Sequence, residues 1–230
     1  MTPEDLRQHF DSVAPEYEWL INRLVPYYQK QNSLMMDLIP FERKVPFKAL
    51  DLGAGTGILS RLLLDTFPNA KVTIFDLSPV MLETCRKKLW AYPNRAGYIQ
   101  GDFNKDDFGE NYDVVFTGLV LQHADDAGKR AFFKKAHSKM KPGGILLSRD
   151  IVRGTTPRLT EEYERLWRLY MRAQGEDGAV WYSKFQAKDP PATVEDQMKW
   201  LNEAGFVDVG CHWRYLNFAI TGGRVSPRTS

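Results

Sequence analysis

Cysteine is scarce in this sequence, and its placement excludes two structural devices. The 230 residues include only Cys85 and Cys211, which lie far apart and outside any CxxC or CxxH pattern. A disulfide framework and a metal site are therefore not expected, and the protein is expected to lie in a reducing compartment. The opening MTPEDLRQHF has no basic start followed by an apolar core, and the apolar runs are shorter than a membrane span. We expect a cytoplasmic protein that acts without a membrane.

An excess of charge of one sign is also missing. The chain has 31 basic and 29 acidic residues, for a net charge of +2. A protein that binds nucleic acid through a broad positive field is usually more basic than this. The basic runs RKK (86–88) and FFKKAHSKMK (132–141) fall at the ends of predicted helices, where the helix dipole favours positive charge. Nucleic acid is therefore an unexpected partner.

Strands and helices alternate along the middle of the chain. The first 45 residues are amphipathic and predict two helices, one over TPEDLRQHFDSVA and one over Tyr28–Leu38. Short β-branched runs then alternate with helical patterns, which indicates βαβ units and a parallel sheet covered on both faces. The five predicted strands are FKALDL, KVTIFD, GYIQGD, YDVVFTG and ILLSRD, and KPGG is expected to close the helix before the last of them.

The pattern changes after position 150. A helix over TEEYERLWRLYMRAQ is followed by GEDGAVWYSKFQAKDPP, which we predict to be irregular, and then by a helix and two facing strands. We predict a single α/β domain (1–230) with a doubly wound, mostly parallel seven-stranded sheet and a C-terminal antiparallel hairpin. Its expected parts are an N-terminal helical cap (1–45), a ligand-binding core (46–150), a lid insertion over the carboxyl edge of the sheet (151–192), and the final helix and hairpin (193–230).

A glycine loop follows the first predicted strand in LDLGAGTG. Gly53, Gly55 and Gly57 allow a tight turn and a close approach of ligand, and the helix from Ile58 points its amides at the same place. The alternate spacing differs from the GxGxxG of dinucleotide-binding loops. Asp51, just before the loop, suits a ligand with a cationic amine better than a pyrophosphate.

Two more acids end the next strands. Asp76 ends the second strand, where a carboxylate accepts hydrogen bonds from both hydroxyls of a ribose. Asp102 and Phe103 follow the third strand, where an acid accepts from an adenine amino group and a ring packs on the base. An amine site, a ribose site and an adenine site together describe S-adenosylmethionine.

The motifs LDLGAGTG, FDLS, GDF, YDVVFTGLVLQH and KPGG resemble, in order and spacing, those of class I seven-stranded S-adenosylmethionine-dependent methyltransferases of the small-molecule type. The resemblance covers about residues 45–150, and HFDSVAPEYEWL resembles the opening of quinone-biosynthesis methyltransferases. It implies that Asp51 lies near the methionine amine, that Thr117 lies under the sulfonium, and that Tyr17 closes over the coenzyme. The implied coenzyme-binding residues are Tyr17, Asp51, Gly53, Ala54, Gly55, Asp76, Leu77, Asp102, Phe103, Thr117 and Gln122.

The resemblance implies transfer of a methyl group to an O, N or C atom of a small molecule, with S-adenosylhomocysteine as the product. The coenzyme carries the reactivity, so positioning of the acceptor can suffice. Enzymes of the same fold that cleave or cyclise the coenzyme, or form carboxy-S-adenosylmethionine, are an alternative. The ending NFAITG resembles the carboxy-forming enzymes, but those place an arginine where this chain has Trp200. A tRNA methyltransferase, a nicotinamide-dependent oxidoreductase and a non-catalytic sensor are weaker alternatives.

Several side chains are candidates for contact with the acceptor. His123 follows the fourth strand and is either a general base or a histidine packed beside the coenzyme. Arg149 and Asp150 end the fifth strand and either line the pocket or form an ion pair that steadies the insertion. Most aromatic residues of the insertion are expected to form its core, while one or two line an apolar acceptor site or face the sulfonium: Trp167, Tyr170, Trp181, Tyr182 and Phe185. A homodimer is compatible with the sequence.

Overall fold

A seven-stranded sheet organises the computed structural model, which describes residues 3–13, 16–185 and 191–227. The strands are β1 (Lys48–Leu52), β2 (Lys71–Asp76), β3 (Ala96–Gln100), β4 (Tyr112–Gly118), β5 (Met140–Ile151), β6 (Val207–Tyr215) and β7 (Phe218–Arg224). Their order is β3-β2-β1-β4-β5-β7-β6, and all neighbouring pairs are parallel except β5–β7 and β6–β7. The predicted doubly wound sheet with a C-terminal antiparallel hairpin is confirmed.

Helices cover both faces of this sheet. They are α1 (Pro3–Val13), α2 (Tyr17–Leu24), α3 (Tyr28–Asp37), α4 (Ile58–Thr66), α5 (Pro79–Lys88), α6 (Asp126–Ser138), α7 (Pro157–Ala173), α8 (Gly178–Phe185) and α9 (Val194–Glu203), with a short 3-10 helix at Leu121–His123. Side chains of α3, α4 and α5 pack on one face, and those of α6 and α9 pack on the other. Within the described residues, no helix has the length and apolar character needed to cross a membrane.

The strand order reverses between β1 and β4, and this places the ligand edge. The chain runs from β1 outward to β2 and β3, then returns to β4 and continues to β5 on the other side. Ligands of open α/β sheets bind outside the carboxyl ends of the strands at such a reversal. The loops after β1, β2, β3, β4 and β5 therefore surround one candidate cleft.

Side-chain caps explain where several helices begin. Ser78 Oγ accepts a hydrogen bond from the Met81 amide at 3.0 Å, and Pro79 follows it at the start of α5. Thr193 and Asp196 form a reciprocal capping box at the start of α9. The beginnings of these helices follow from the local sequence alone.

Three predictions of secondary structure were wrong. The segment predicted to be irregular after α7 contains α8, because the Asp177 carboxylate accepts hydrogen bonds from the Ala179 and Val180 amides and caps a new helix. The N-terminal region has an additional helix, α2, before Tyr28. KPGG does not close α6, which ends at Ser138; it lies within β5, where Gly143 adopts a φ of +80°.

The N-terminal helices and the insertion share a third cluster of buried side chains. Trp167 Nε1 donates a hydrogen bond to the Leu24 carbonyl at 2.7 Å, and Arg23 Nε lies 2.7 Å from a Glu176 carboxylate oxygen. The Trp167 ring also meets Phe218 of β7 edge-on at 5.1 Å. Helices α2 and α7 are therefore joined to each other and to the sheet.

Candidate functional site

The glycine loop is formed by three residues with left-handed backbone. Gly53, Gly55 and Gly57 have φ values of +67°, +55° and +79°, which other residues adopt only with strain. A Cβ at Gly53 would overlap Val120, and a Cβ at Gly57 would overlap Cys85, whereas a Cβ at Gly55 would have no heavy atom within 4 Å. Two of the glycines are therefore required by packing, and Gly55 borders open space.

The last two residues of β2 accept hydrogen bonds from the backbone of this loop. The Gly53 and Ala54 amides both donate hydrogen bonds to the Phe75 carbonyl, at 2.7 and 3.2 Å. The next residue, Asp76, accepts a hydrogen bond from the Gly55 amide at Oδ2 (2.7 Å) and from the Ser78 amide at Oδ1 (2.8 Å). One carboxylate thus joins the end of β2 to the tip of the glycine loop.

Asp76 is nearly buried, and burial raises its pKa to about 6, while the amide hydrogen bonds oppose that shift. Asp11 of α1 also raises the pKa of Asp76, and its carboxylate hydrogen-bonds the Ser78 hydroxyl. The first helix therefore contacts the start of α5 beside the predicted ribose acid. Leu77, between Asp76 and Ser78, is half-buried.

Asp51 forms a cap for α4, which the sequence did not predict. Its Oδ2 accepts hydrogen bonds from the Ser60 hydroxyl (2.7 Å) and the Ser60 amide (3.1 Å) in the first turn of that helix. Burial raises the pKa of Asp51 to about 7, while the hydrogen bonds from Ser60 and the charge of Arg149 lower it. The carboxylate thus steadies the helix that begins at the glycine loop.

The acid after β3 has one oxygen available. Asp102 Oδ1 accepts hydrogen bonds from the Asn104 amide (3.0 Å) and side chain (3.1 Å). Its Oδ2 is buried and has no hydrogen-bond partner, although Lys105 Nζ lies 3.6 Å away. The Phe103 ring is half-buried and meets Phe132 edge-on at 5.6 Å.

Polar groups without partners also lie at the end of β4. Thr117 Oγ1 and Gln122 Oε1 are buried, and neither has a hydrogen-bond partner. Gln122 Nε2 is 3.5 Å from His123 Nε2, and His123 is half-buried in the 3-10 helix. Buried polar atoms are normally paired, so these are positions at which a ligand can supply the partner.

Arg149 and Asp150 do not form the ion pair that was one alternative for them. Among the described residues, neither has an oppositely charged side chain within 4 Å. Arg149 donates a hydrogen bond to Asn32 Oδ1 on α3 and lies over the Tyr28 ring at 4.6 Å. Burial raises the pKa of Asp150 to about 7, opposed by the charge of Lys129 and by backbone hydrogen bonds.

Tyr17 lies within electrostatic reach of the site. Burial raises its pKa, as do Tyr28 and Asp76, whereas Arg149 lowers it. By solvent exposure the side chain is only half-buried. Because it belongs to the first turn of α2, its surroundings place that helix beside the cleft.

The aromatic residues of the insertion pack mostly against one another. Trp167 is 1% exposed, and Tyr182 meets its ring edge-on at 5.9 Å. Trp181 Nε1 donates a hydrogen bond to Glu176 at 2.8 Å, and Tyr170 packs in the same cluster. The cluster also includes Tyr17, so the core of the insertion reaches the covering helix. The Phe185 side chain lies outside the described residues.

Lys88, the last residue of the RKK run, contacts α2 and the glycine loop. Its Nζ pairs with Glu18 of α2 and lies 3.3 Å from Thr56 Oγ1 in the glycine loop. Burial lowers the pKa of Lys88 to about 8. The sequence did not predict the contacts of Lys88, nor that Asn32 lies at the site, because neither Lys88 nor Asn32 belongs to a motif.

Comparison with known proteins agrees with this arrangement. A family model described as "Methyltransferase domain" matches residues 49–144. The chain is 30% identical over 236 residues to a carboxy-S-adenosyl-L-methionine synthase of Chromohalobacter salexigens, covering 95% of this chain and 84% of that protein. It is 32% identical over 116 residues to a malonyl-[acyl-carrier protein] O-methyltransferase of Ilyobacter polytropus, covering 50% of this chain and 42% of that protein.

Solved structures show the same fold. The phosphoethanolamine N-methyltransferase 2 of Haemonchus contortus, in complex with S-adenosyl-L-methionine, superposes with a TM-score of 0.70 at 18% identity. The match covers 99% of this chain and 60% of that structure, so the chain spans little more than half of this relative. The seven-stranded sheet, the order of the motifs and the similarity over nearly the full length agree: the chain belongs to the class I S-adenosylmethionine-dependent methyltransferases.

Proposed function

We propose that this enzyme transfers the methyl group of S-adenosylmethionine to a small-molecule O, N or C acceptor held between the strand ends, α2 and the insertion. The observation that carries the proposal is the hydrogen bond from the Gly55 amide to Asp76 at 2.7 Å. It unites the glycine loop and the ribose acid in one cleft, with the open side of Gly55 available to a ligand.

The polar groups of the cleft fit this coenzyme. Asp102 Oδ2, buried without a hydrogen bond, is an acceptor for the adenine amino group. Both oxygens of Asp76 accept hydrogen bonds from backbone amides, and the remaining acceptor capacity of the carboxylate can bind ribose hydroxyls. Asp51 Oδ2 accepts two hydrogen bonds from Ser60, so we assign the other oxygen, Oδ1, to the methionine amine.

When bound, the coenzyme supplies an activated methyl group on its sulfonium, and the chain has to position the acceptor and exclude water. Tyr17 and the aromatic cluster of the insertion would cover the cleft. Thr117 and Gln122, with unpartnered buried oxygens, would orient polar groups of the ligands at the end of β4. His123 stays a candidate general base for acceptors that must lose a proton.

A reaction on the coenzyme itself is the second candidate. It is favoured by the similarity to a carboxy-S-adenosyl-L-methionine synthase along 95% of the chain. Trp200, at the position where the carboxy-forming enzymes are expected to have an arginine, is 2% exposed and packs in the core between α6 and α9. If the carboxy form is made here, another cation has to bind the added carboxylate.

Mass spectrometry of the reaction separates these candidates. The protein is incubated with S-adenosylmethionine alone, and then with a small-molecule extract. S-adenosylhomocysteine that appears only with the extract supports methyl transfer to an acceptor. Methylthioadenosine formed without extract, or a coenzyme heavier by CO2 formed with the extract as the carboxyl donor, would replace methyl transfer with the second candidate. A cytoplasmic location, a homodimer and the absence of a nucleic acid partner remain predictions.

A further inference from the structure

Two basic side chains are almost fully buried in the described part of the chain, and they differ in what surrounds them. Lys129 is 1% exposed, and its Nζ lies 3.7 Å from an Asp126 carboxylate oxygen. Arg149 is 2% exposed and has no carboxylate within 4 Å among the described residues. A buried cation without a direct ion pair is strongly unfavourable, and the buried carboxyl groups of Asp51 and Asp150 act on Arg149 only from beyond 4 Å, so Arg149 is the exception that requires an explanation.

The partners of Arg149 hold it in place without neutralising it. Its Nη1 donates to Asn32 Oδ1, its guanidinium lies over the Tyr28 ring at 4.6 Å, and its Nε has no hydrogen-bond partner. Asn32 is 1% exposed, and its Nδ2 is also unpartnered. A planar group with unused N–H donors, fixed by neutral neighbours, is suited to binding a carboxylate through two hydrogen bonds.

The position of Arg149 is at the ligand edge. It pairs with Gly118 across β4 and β5, and a Cβ at Gly118 would lie 2.6 Å from Arg149 Nη2. The glycine therefore leaves room for the guanidinium over the end of β4, next to Thr117. Electrostatically, Arg149 lowers the pKa of both Asp51 at the glycine loop and Tyr17 on the covering helix.

We propose that Arg149, oriented by Asn32 and Tyr28, is the receptor for a ligand carboxylate in this cleft. The carboxylate is either that of the methionine part of the coenzyme or one carried by the acceptor. The proposal rests on the proposed function, because both sources bind in the same cleft. It adds a charge requirement that the glycine loop and the three acids do not impose.

Three variants test this assignment. Arg149→Gln removes the charge. Asn32→Asp keeps Arg149 but places a carboxylate against its guanidinium. The fold is expected to be preserved, while the new aspartate neutralises the charge that would bind the ligand carboxylate. Arg153→Gln is the control: it also removes one positive charge shortly after β5, but from a partly buried ion pair with Asp196 at 3.4 Å.

Calorimetry with three probes gives the readout: S-adenosylhomocysteine, 5′-methylthioadenosine, and malonate added to the S-adenosylhomocysteine complex. If Arg149 binds the carboxylate of the coenzyme, Arg149→Gln and Asn32→Asp weaken the binding of S-adenosylhomocysteine about 30-fold or more. Binding of methylthioadenosine, which has no carboxylate, then changes by less than about twofold. If an acceptor carboxylate is bound, both nucleosides bind as in the wild type, and binding of malonate is lost in both variants.

The inference is overturned if the wild type binds S-adenosylhomocysteine while both variants match Arg153→Gln with all three probes. Failure of the wild type to bind S-adenosylhomocysteine would instead refute the proposed function, and the inference with it. Thermal melting identifies a variant that has merely lost its fold. In that event Asn32→Asp, which leaves the buried arginine paired, decides the result.

Discussion

Replacement of Asp76 by asparagine separates ligand recognition from folding. The asparagine keeps one acceptor oxygen, so one charge-assisted hydrogen bond to the ribose is lost, worth about 1.5–3 kcal/mol. We therefore expect Asp76→Asn to weaken the binding of S-adenosylhomocysteine by roughly 10- to 150-fold. The measurement is isothermal calorimetry at pH 8, where a carboxyl with a pKa of about 6 is ionised.

The effect of the same variant on stability should be small, because two terms oppose each other. One backbone amide, of Gly55 or Ser78, loses its acceptor, which costs about 1–3 kcal/mol. The folded state raises the pKa of Asp76 from 3.8 to about 6, so at pH 8 the charged form destabilises the fold by about 3 kcal/mol. The neutral amide removes that penalty, and the urea midpoint of the free protein should move little.

Asp113→Asn is the matched control. Asp113 accepts a hydrogen bond from the Lys48 amide at 2.8 Å and pairs with Lys141, but it lies at the start of β4, on the opposite edge of the sheet. This variant should lose stability and keep its affinity for S-adenosylhomocysteine within about twofold, because no ligand group is lost. Equal affinities of Asp76→Asn and Asp113→Asn would refute the reasoning.

Three further outcomes are expected. Below pH 6 the affinity for S-adenosylhomocysteine should fall by up to about tenfold per pH unit, because protonation of Asp76 removes its charge and one acceptor for the ribose hydroxyls; a flat calorimetric profile from pH 5 to 8 would contradict this. Gly57→Ala should lower the free energy of unfolding by about 2–4 kcal/mol, because φ is +79° and a Cβ would overlap Cys85. Adding Cys85→Ala should restore only the stability lost to this overlap and not the part lost to backbone strain. An unchanged urea midpoint of Gly57→Ala would contradict the prediction. Trp167→Phe removes the donor to the Leu24 carbonyl and should speed amide exchange in α2 but not in α6, whereas equal rates in both helices would count against coupling.

The sequence predicted the elements whose causes are local. The alternation of apolar patterns predicted the order of strands and helices. The acids Asp51, Asp76 and Asp102 were placed because each lies at or just after the carboxyl end of a strand of a parallel sheet. The role of Ser78 as a helix cap depends only on the residues that follow it directly, Pro79 to Met81. Helix α8 was missed because its apolar and aromatic residues follow a glycine, and only the Asp177 carboxylate shows where it begins.

Contacts across the fold could not be read from the sequence. Asn32 meets Arg149 from 117 positions away, and no local pattern distinguishes it from any other polar residue on a helix. The role of Ser60 as the partner of Asp51 depends on how α4 sits on β1. The predicted functions of the three glycines were also incomplete: packing against Val120 and Cys85 is a tertiary property that a spacing rule does not contain.

The bridge from Asp76 to Gly55 has a consequence for protein engineering. In folds of this kind, an attempt to make the site accept a nucleotide with a phosphorylated ribose begins by replacing the acid at the end of the second strand. Here that replacement also removes the brace of the loop beside it. A redesigned site would need a second substitution to hold Gly55, because a change at Asp76 alters ligand recognition and the support of the loop together.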